Sequence, residues 1–270
     1  MRKLSPARAM RLRLGWWKTR SNRIAVQSVV RAYRAAAEKK PVRDGVTVVT
    51  VNYHSLPQLR TLLAALERHT TEPIDVIVVD NASKDGSRDF LRSLPGVRSI
   101  LLPVNFGHGS ALDIGVLAAD TSIVVTFDID AFPISKEWLP AVKEPLENGS
   151  VIAGAHWNRA YVHPCFAALH RADFVDYRLS FAAVGRCPSA EVPASGVYLD
   201  AGEAVSHVLS LAYGTKALHK IPPTSIRGPG AIGTVFGDVV YHNFYSTHVR
   251  GELGVAAAKA WDDAVREYVG

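Results

Sequence analysis

The stretch "IVVTFDIDAFPIS", residues 123–135, decides how the chain folds. Ile123 to Phe127 are mostly large and apolar, which predicts a buried strand. The strand stops abruptly at Asp128, Asp130 follows two residues later, and the chain turns at Pro133. In open α/β sheets, ligands bind beyond the carboxyl ends of the strands. The two carboxylates therefore mark the edge at which we expect a functional site.

Three similar apolar runs precede this strand, and each is followed by a helical pattern. The predicted strands are "GVTVVTVNYHS", "IDVIVVDNAS" and "VRSILLP", and the predicted helices are "LPQLRTLLAALERH", "DGSRDFLRSL" and "SALDIGVLAAD". Alternating strands and helices predict a parallel sheet, and continuous apolar runs indicate that both of its faces are covered. We therefore predict an α/β fold, with a mixed and mainly parallel sheet flanked by helices.

The second half of the chain has a looser pattern. "VIAGAHW" and "CFAALHR" predict strands, and "GEAVSHVLSLAYG" predicts a helix that ends at Gly214. Residues 252–268 form an Ala-rich segment that we expect to be helical.

Charge divides the 270 residues unevenly. Residues 1–45 contain 13 of the 31 Lys and Arg residues but only two of the 25 acidic residues, so the rest of the chain is mildly acidic. This distribution argues against a nucleic-acid-binding protein, which would carry its basic face on the folded domain. With two cysteines and no long apolar run, the sequence predicts a cytoplasmic protein without disulfides.

Polar residues stand at or just beyond the end of each predicted strand of the first half. They are Asn52, Asp80, Asn105 and Asp128. The carboxyl ends of parallel strands share one edge of the sheet, so these side chains are expected to converge.

The Asp128-x-Asp130 pair has three interpretations. It could be the nucleophile and acid of a phosphatase of the haloacid dehalogenase type, although Phe132 occupies a position that is usually small or β-branched there. It could hold a divalent cation, since Mg²⁺ and Mn²⁺ prefer oxygen ligands. It could also be two solvated acids in a loop.

Neither common phosphate-binding loop is present. "FGHGSAL" offers Gly107 and Gly109, but Leu112 stands where a dinucleotide-binding loop needs its third glycine. No Walker-type sequence occurs. Any phosphates bound at this edge would therefore be held through a metal.

Four motifs in order carry a family resemblance: "VTVVTVNYHS", "VIVVDNASKDGS", "NFGHGSALDIG" and "VVTFDID". Together they resemble family 2 glycosyltransferases of the GT-A fold, and the bacterial rhamnosyltransferase-like members most of all. The resemblance covers about residues 46–250. It implies a Rossmann-like sheet of the GT-A type, with a nucleotide-sugar half over 46–135 and an acceptor half over 136–250. Residues 1–45 would be a basic extension, and 251–270 a C-terminal helix.

The resemblance also implies roles for individual residues. Asn52 and Tyr53 would line the nucleotide pocket, and Asp80 would hold the base or ribose. Asp128 would lie closer to the ribose, and Asp130 would be the main protein ligand of Mn²⁺ or Mg²⁺.

Further donor-site and metal candidates come from the later motifs. Asn105, Gly107 and Gly109 belong to the predicted donor site, and His242 is the expected late histidine at the metal, with His248 as the alternative. The loop after Asp80 could instead be a turn held by its own polar side chains, a role that we expect of Asn81 and Ser83 rather than of Asp80.

The sequence departs from the family pattern at two places. Asp113 stands where members usually have Asn, which would leave an extra acid near the donor. The Glu-Asp pair expected before the late helix reads "YLDAGEAVSHVL" here. We expect Asp200 to be the catalytic base and Glu203 the alternative. A structural reading is also open, in which Asp200 caps the helix and Glu203 completes a capping box.

The remaining candidates have a structural reading as well. His163 could contact an acceptor and Trp157 could stack on a sugar, but both could equally belong to the core or to a loop. Cys165 and Cys187 are expected to be inert.

The predicted activity is transfer of a sugar, with inversion, from a nucleotide-diphosphate sugar to a hydroxyl of a cell-envelope glycan or glycolipid. Alternatives are a non-catalytic nucleotide-sugar-binding or scaffold protein and, less in keeping with the motifs, a phosphatase. Residues 1–45 are expected to contact the inner face of the cell membrane, because Lys and Arg near an anionic surface each contribute about 1 kcal/mol; a solvated tail or a helix that docks a partner is the alternative.

Overall fold

The computed structural model describes residues 24–157, 161–182, 185–187, 197–199, 202–244 and 251–270. Predictions that concern residues 1–23, Asp200 and His248 lie outside the described residues.

The strands of the first half follow the apolar runs of the sequence. The main elements, in chain order, are helix α1 (24–37), β1 (Arg43–Asn52), α2 (Leu56–His69), β2 (Asp75–Asp80), α3 (Ser87–Ser93), β3 (Val97–Leu101), α4 (His108–Ala118) and β4 (Thr121–Phe127). Helix α2 begins with Pro in its first turn and buries Leu59, Leu62 and Leu66, as its helical spacing predicts.

The second half adds short strands and four helices within the described residues. They are β5 (Ala131–Pro133), α5 (Pro140–Glu147), β6 (Ile152–Ala155), β7 (Phe166–His170), α6 (Arg171–Asp176), β8 (Gly185–Cys187), β9 (Val197–Leu199), α7 (Glu203–Tyr213), β10 (Leu218–Ile221), β11 (Pro223–Ile226), β12 (Thr234–Phe236), β13 (Val240–His242) and α8 (Glu252–Tyr268).

The central sheet has seven strands in the order β10-β6-β7-β4-β1-β2-β3. Its strands pair in parallel except where β7 runs antiparallel to both of its neighbours, β6 and β4. Hydrophobic clusters lie on both faces of this sheet. The predicted mixed, mainly parallel sheet flanked by helices is confirmed.

Helix α4 packs unusually close to the sheet because its residues are small. A Cβ atom at Gly115 would lie 2.3 Å from Val49 Cγ1 and 3.1 Å from Val79 Cγ2. The helix therefore rests directly on β1 and β2, and this fixes where its first residue, His108, stands relative to the strand ends.

A second sheet was not predicted from the sequence. It has four strands in the order β11-β12-β13-β5. Strand β5 is only three residues long, too short for a period-2 pattern to be recognised. Its antiparallel pairing with β13 sets His242 opposite Ala131, next to the Asp-x-Asp pair.

Helix α1 is attached to the body through buried contacts. Arg34 donates hydrogen bonds to the carbonyl oxygens of Phe174 and Leu179, at 3.0 and 2.7 Å. Arg171 donates to the carbonyl oxygen of Ala37, which is itself buried. The last third of the predicted extension is thus part of the packed structure.

Candidate functional site

Three side chains from two distant segments meet just past the end of β4. Asp128 follows the strand directly, Asp130 comes two residues later, and His242 is the last residue of β13. Their ligand-type atoms lie within 4.8 Å of one another. His242 Nε2 is 3.3 Å from Asp130 Oδ1 and 3.7 Å from Asp128 Oδ2. We refer to these three residues as the Asp-Asp-His cluster.

The backbone holds this cluster in place. The amide of Asn243 donates to the carbonyl oxygen of Asp130, and the amide of Asp128 donates to that of Cys165. The first bond continues the β5–β13 pairing past His242. The second ties the end of β4 to the loop 161–165, so three segments converge on the two aspartates.

Burial and mutual attraction shift the pKa values of the cluster in opposite directions. Burial would raise the pKa of Asp128, but the imidazoles of His108 and His242 hold it well below its ordinary value. Burial would lower the pKa of His242, but the Cys165 thiol and Asp130 raise it well above its ordinary value. The cluster therefore combines two carboxylates with one imidazole, side chains that can serve as ligands of a divalent cation.

His108 is a member of the site that the sequence analysis did not identify. It is the first residue of α4, and its Nε2 lies 3.1 Å from Asp128 Oδ1. Burial would lower the pKa of His108, but Asp128 raises it. In the sequence, His108 lies within "FGHGSAL" and resembles an ordinary residue of a glycine-rich turn. Its role becomes visible only when the position of the neighbouring strand end is known.

Cys165 and His163 also border the cluster. The amide of Cys165 donates to His163 Nδ1 at 3.1 Å, and the His163 and His242 rings lie 6.0 Å apart. Burial would raise the pKa of Cys165, but His242 and His163 lower it below its ordinary value. The thiol is fully buried and lies next to two histidines of the site, while the expectation that it is inert stays a prediction.

A cavity of about 320 Å³ adjoins the cluster. Its wall includes Ile129, which stands between the two aspartates. The other lining residues are Val51, Tyr53, Ser55, Asn81, Asn105, Gly107 and His108. Of the predicted donor-site residues, Tyr53, Asn105 and Gly107 line this cavity.

Asn52 and Asp80 lie behind the cavity wall, where neither is exposed. Asn52 Nδ2 donates to Asp80 Oδ2 at 2.9 Å, and the Ser83 amide donates to Asp80 Oδ1 at 3.0 Å. We expected Asn81 and Ser83, rather than Asp80, to hold this turn. For Asp80 that expectation was wrong, because its carboxylate accepts the hydrogen bond that closes the turn. The reason is that β2 ends with Asp80 directly below the loop amide of Ser83.

Two asparagines organise the opposite wall. Asn81 Nδ2 donates to Asn105 Oδ1 at 3.1 Å, and the Gly107 amide donates to the same oxygen at 2.7 Å. Asn81 Oδ1 in turn accepts from the Phe106 amide at 2.7 Å. These bonds fix the loop between β3 and α4 and orient the Asn105 amide.

Gly109 and Asp113 face away from the cavity. A Cβ atom at Gly109 would lie 2.2 Å from the carbonyl oxygen of Phe181, so this glycine permits close packing. Asp113 accepts hydrogen bonds from the Ser180 hydroxyl and the Phe181 amide, at 2.6 and 2.7 Å. The expectation that Asp113 adds an acid near the donor was wrong, because α4 turns this side chain toward the 180–182 loop.

Helix α7 begins beside the loop that carries His163. A Cβ atom at Gly202 would lie 2.6 Å from Pro164 Cγ, and the Ser206 hydroxyl bonds both the amide and the carbonyl of Val162. Glu203 is the first residue of the helix and is buried. Gly202 occupies the N-cap position, and the capping-box reading stays a prediction because Asp200 lies outside the described residues.

Trp157 contacts Phe244, with ring centroids 5.7 Å apart, and packs against the hydrophobic core.

Among the described residues, no helix combines the length and the apolar character needed to cross a membrane.

Comparison with known proteins finds a recognised sequence segment that includes two of the three cluster residues. Residues 47–178 match the family described as Glycosyl transferase family 2. This segment is just under half of the chain and contains the last six residues of β1, all of β2 to β4, Asp128 and Asp130.

Two curated relatives are similar to parts of the chain. Undecaprenyl-phosphate 4-deoxy-4-formamido-L-arabinose transferase of Serratia proteamaculans is 31% identical over 127 residues, which are 44% of this chain and 39% of the relative. N-acetylglucosaminyl-diphospho-decaprenol L-rhamnosyltransferase of Mycobacterium tuberculosis is 34% identical over 83 residues, 28% of this chain and 27% of the relative. The chain thus matches at most about two fifths of the length of these relatives.

Among solved structures, glucosyl-3-phosphoglycerate synthase of Mycobacterium tuberculosis is similar at 16% identity and a TM-score of 0.49, over 86% of this chain and 82% of that protein. The family match covers residues 47–178, which include Asp128 and Asp130, and does not extend to His242.

Proposed function

We propose that this chain is a metal-dependent, inverting glycosyltransferase. It transfers a sugar from a nucleotide-diphosphate sugar to a hydroxyl of a cell-envelope glycan or glycolipid. The observation that carries the proposal is the Asp-Asp-His cluster beside a cavity, at the strand ends of a family 2 segment. The names of the two partial relatives, which are transferases of undecaprenyl-phosphate and decaprenol substrates, support a lipid-linked acceptor.

The residues of the cluster fit a divalent cation. Asp128 Oδ1 is buried and makes no hydrogen bond of acceptable geometry within the described residues, with His108 Nε2 close to it, at 3.1 Å, so this oxygen can take a further positive partner. Two carboxylates and an imidazole suit Mn²⁺ or Mg²⁺, and Asp128, Asp130 and His242 would hold the ion. A bound cation would neutralise the charge that develops on the leaving diphosphate.

The residues of the cavity would bind the nucleoside part of the donor. Tyr53 is about half exposed and offers its ring at the cavity wall. The Asn105 carboxamide oxygen is occupied by two hydrogen bonds, so its NH₂ group is the part left to donate to a ligand. Asn52 and Asp80 would act from behind, by fixing the loop that forms the floor.

An inverting displacement needs a base on the acceptor side to take the proton of the attacking hydroxyl. The start of α7 is the place that we propose for it, because Gly202 and Ser206 clamp this helix to the 161–165 loop bordering the cluster. Asp200, which lies outside the described residues, is the proposed base, and Glu203 is the alternative.

A donor panel tests the proposal. The protein is incubated with Mn²⁺ and UDP-, GDP- and dTDP-sugars, with and without lipid-linked acceptors, and nucleotide release is measured. We expect acceptor-dependent release from one donor class, and a product whose anomeric configuration by NMR is opposite to that of the donor.

Other outcomes identify other functions. Donor binding without turnover for any acceptor would indicate a non-catalytic nucleotide-sugar-binding protein. Release of phosphate from simple phosphate esters, with no donor binding, would indicate a phosphatase.

A further inference from the structure

His108 links the two parts of the candidate site. It lines the cavity together with Tyr53 and Asn105, and its ring also touches Asp128 of the Asp-Asp-His cluster. Among the described residues that line the cavity, no other side chain makes an ion-pair contact with the cluster. A donor whose nucleoside lies in the cavity and whose sugar lies near the metal must pass its diphosphate between these two places.

The contact between His108 and Asp128 leaves hydrogen-bonding capacity unused. His108 Nε2 and Asp128 Oδ1 are 3.1 Å apart, yet Asp128 Oδ1 has no hydrogen bond of acceptable geometry. The His108 ring is therefore not fixed by an aligned N–H···O bond to this oxygen. With 41% of its side chain exposed, His108 can turn an N–H toward an anion in the cavity.

The local backbone favours an anion at the same place. His108 is the first residue of the 11-residue helix α4, whose N-cap Gly107 provides no side-chain cap. The positive end of the helix dipole therefore adds to the imidazole N–H. Gly107 has a φ of 81° and open space where a Cβ would stand, so the backbone can approach a ligand there.

Resting on the proposed function, we infer that His108 binds the diphosphate of the nucleotide-sugar donor, between the nucleoside cavity and the metal. It acts as a binding residue for the phosphate oxygens rather than as a metal ligand, since it is not a member of the three-residue cluster.

Nucleoside and nucleoside diphosphate affinities separate this role from a structural one. UDP, GDP and dTDP and the matching nucleosides are titrated by calorimetry into the wild type and the His108→Ala and His108→Gln variants, with Mn²⁺ and with EDTA. Mn²⁺ alone is titrated as a third probe. His219, an exposed histidine of β10, supplies the matched control variant His219→Ala, and thermal unfolding checks that each variant is folded.

We expect His108→Ala to weaken diphosphate binding about 10- to 100-fold, as for loss of a hydrogen bond to a charged group, and to leave nucleoside binding unchanged. The Gln side chain retains an N–H donor near the position of Nε2, so His108→Gln should recover most of the affinity. The affinity for Mn²⁺ alone should not fall in either variant.

Equal weakening of nucleoside and diphosphate, or no weakening of either, would overturn the inference while leaving the proposed function standing. A loss confined to Mn²⁺ affinity would instead make His108 a metal ligand and overturn it as well. Failure of the wild type to bind any nucleoside diphosphate would overturn the proposed function itself, and the role of His108 with it.

Discussion

At the residue scale, the site depends on a few side chains whose charges are arranged to compensate one another. Asp128 stands between His108 and His242, while Asp130 faces His242. A carboxylate in such a setting stays ionised and remains a ligand. We therefore expect substitutions of these two aspartates to have different effects from substitutions of acidic residues on the surface.

Asp130→Asn tests the proposed metal ligand. The amide keeps the shape of the side chain but loses its charge, so Mn²⁺-dependent nucleotide affinity should fall ~100-fold or more, beyond the loss typical of an outer-shell partner. Calorimetry with and without Mn²⁺ measures it, and Asp262→Asn on the exposed face of α8 is the control. An unchanged Mn²⁺-dependent affinity would remove Asp130 from the metal site.

Paired substitution tests the catalytic base. Asp200→Asn or Glu203→Gln should lower turnover by ~10²-fold or more at saturating donor, because a general base contributes that much to proton transfer. Donor affinity, measured separately by calorimetry, should stay unchanged for the base. If both variants turn over like the wild type, the start of α7 is structural and the base lies elsewhere.

At the scale of elements, helix α4 does most to shape the site. Gly115 lets it rest on β1 and β2, Gly109 lets it pack against the backbone of residue 181, and His108 at its first turn reaches Asp128. Because the helix is fixed at several points along its length, small changes on its inner face should lower the free energy of unfolding.

Gly115→Ala should destabilise the protein by about 1–3 kcal/mol, the usual cost of inserting a methyl group into a packed core. The new methyl would meet Val49 Cγ1. In a Val49→Ala background the clash is largely relieved, so the same substitution should cost clearly less. Urea unfolding of the four proteins measures both effects, and equal costs in the two backgrounds would contradict the close packing.

Asp113 makes the stability of the α4 region depend on pH. Burial raises its pKa from 3.8 to about 6, against the hydrogen bonds from Ser180 and Phe181. The folded pKa lies above the unfolded value, so its stabilising contribution is complete below about pH 4 and is lost as the pH rises through about 6.

Asp113→Asn cannot ionise and keeps an acceptor for the Phe181 amide. The variant should be more stable than the wild type at pH 8, by at most about 3 kcal/mol for a shift of this size, and the difference should shrink at pH 5. Urea unfolding at the two pH values measures it. A pH-independent difference would mean that Asp113 does not ionise across this range.

At the scale of the whole molecule, part of the basic extension is packed against the body of the protein. Residues 24–37 form α1, which is fixed by Arg34 and Ala37. Residues 1–23 contain eight Lys and Arg residues and no acid. We propose that this basic segment brings the protein to the inner face of the membrane, where lipid-linked acceptors are available.

Liposome sedimentation tests the membrane contact. The full chain should pellet with anionic vesicles and less with neutral ones, while a 24–270 variant should lose most of this binding, because each basic residue contributes about 1 kcal/mol near the surface. The cut is placed before α1 so that the buried contacts of Arg34 remain. Equal pelleting of the two proteins on anionic vesicles would contradict the proposal.

The sequence by itself determined the strands and helices of the first half. β1, β2 and β4 are continuous apolar runs that end in polar residues, and α2 repeats its leucines with helical spacing, so each element is specified by residues within itself. The same local information predicted that Asn52, Asp80 and Asp128 would stand at one edge of the sheet.

Only the tertiary structure decided which side chains meet there. The three-residue strands β5 and β13 have no recognisable period, yet their pairing brings His242 to Asp130 across more than 100 residues of chain. The rotation of α4 on the sheet turns Asp113 away from the cavity and leaves His108 beside Asp128. Such contacts depend on register and on the rotation of helices, which are set by packing between distant segments rather than by the residues of any one segment.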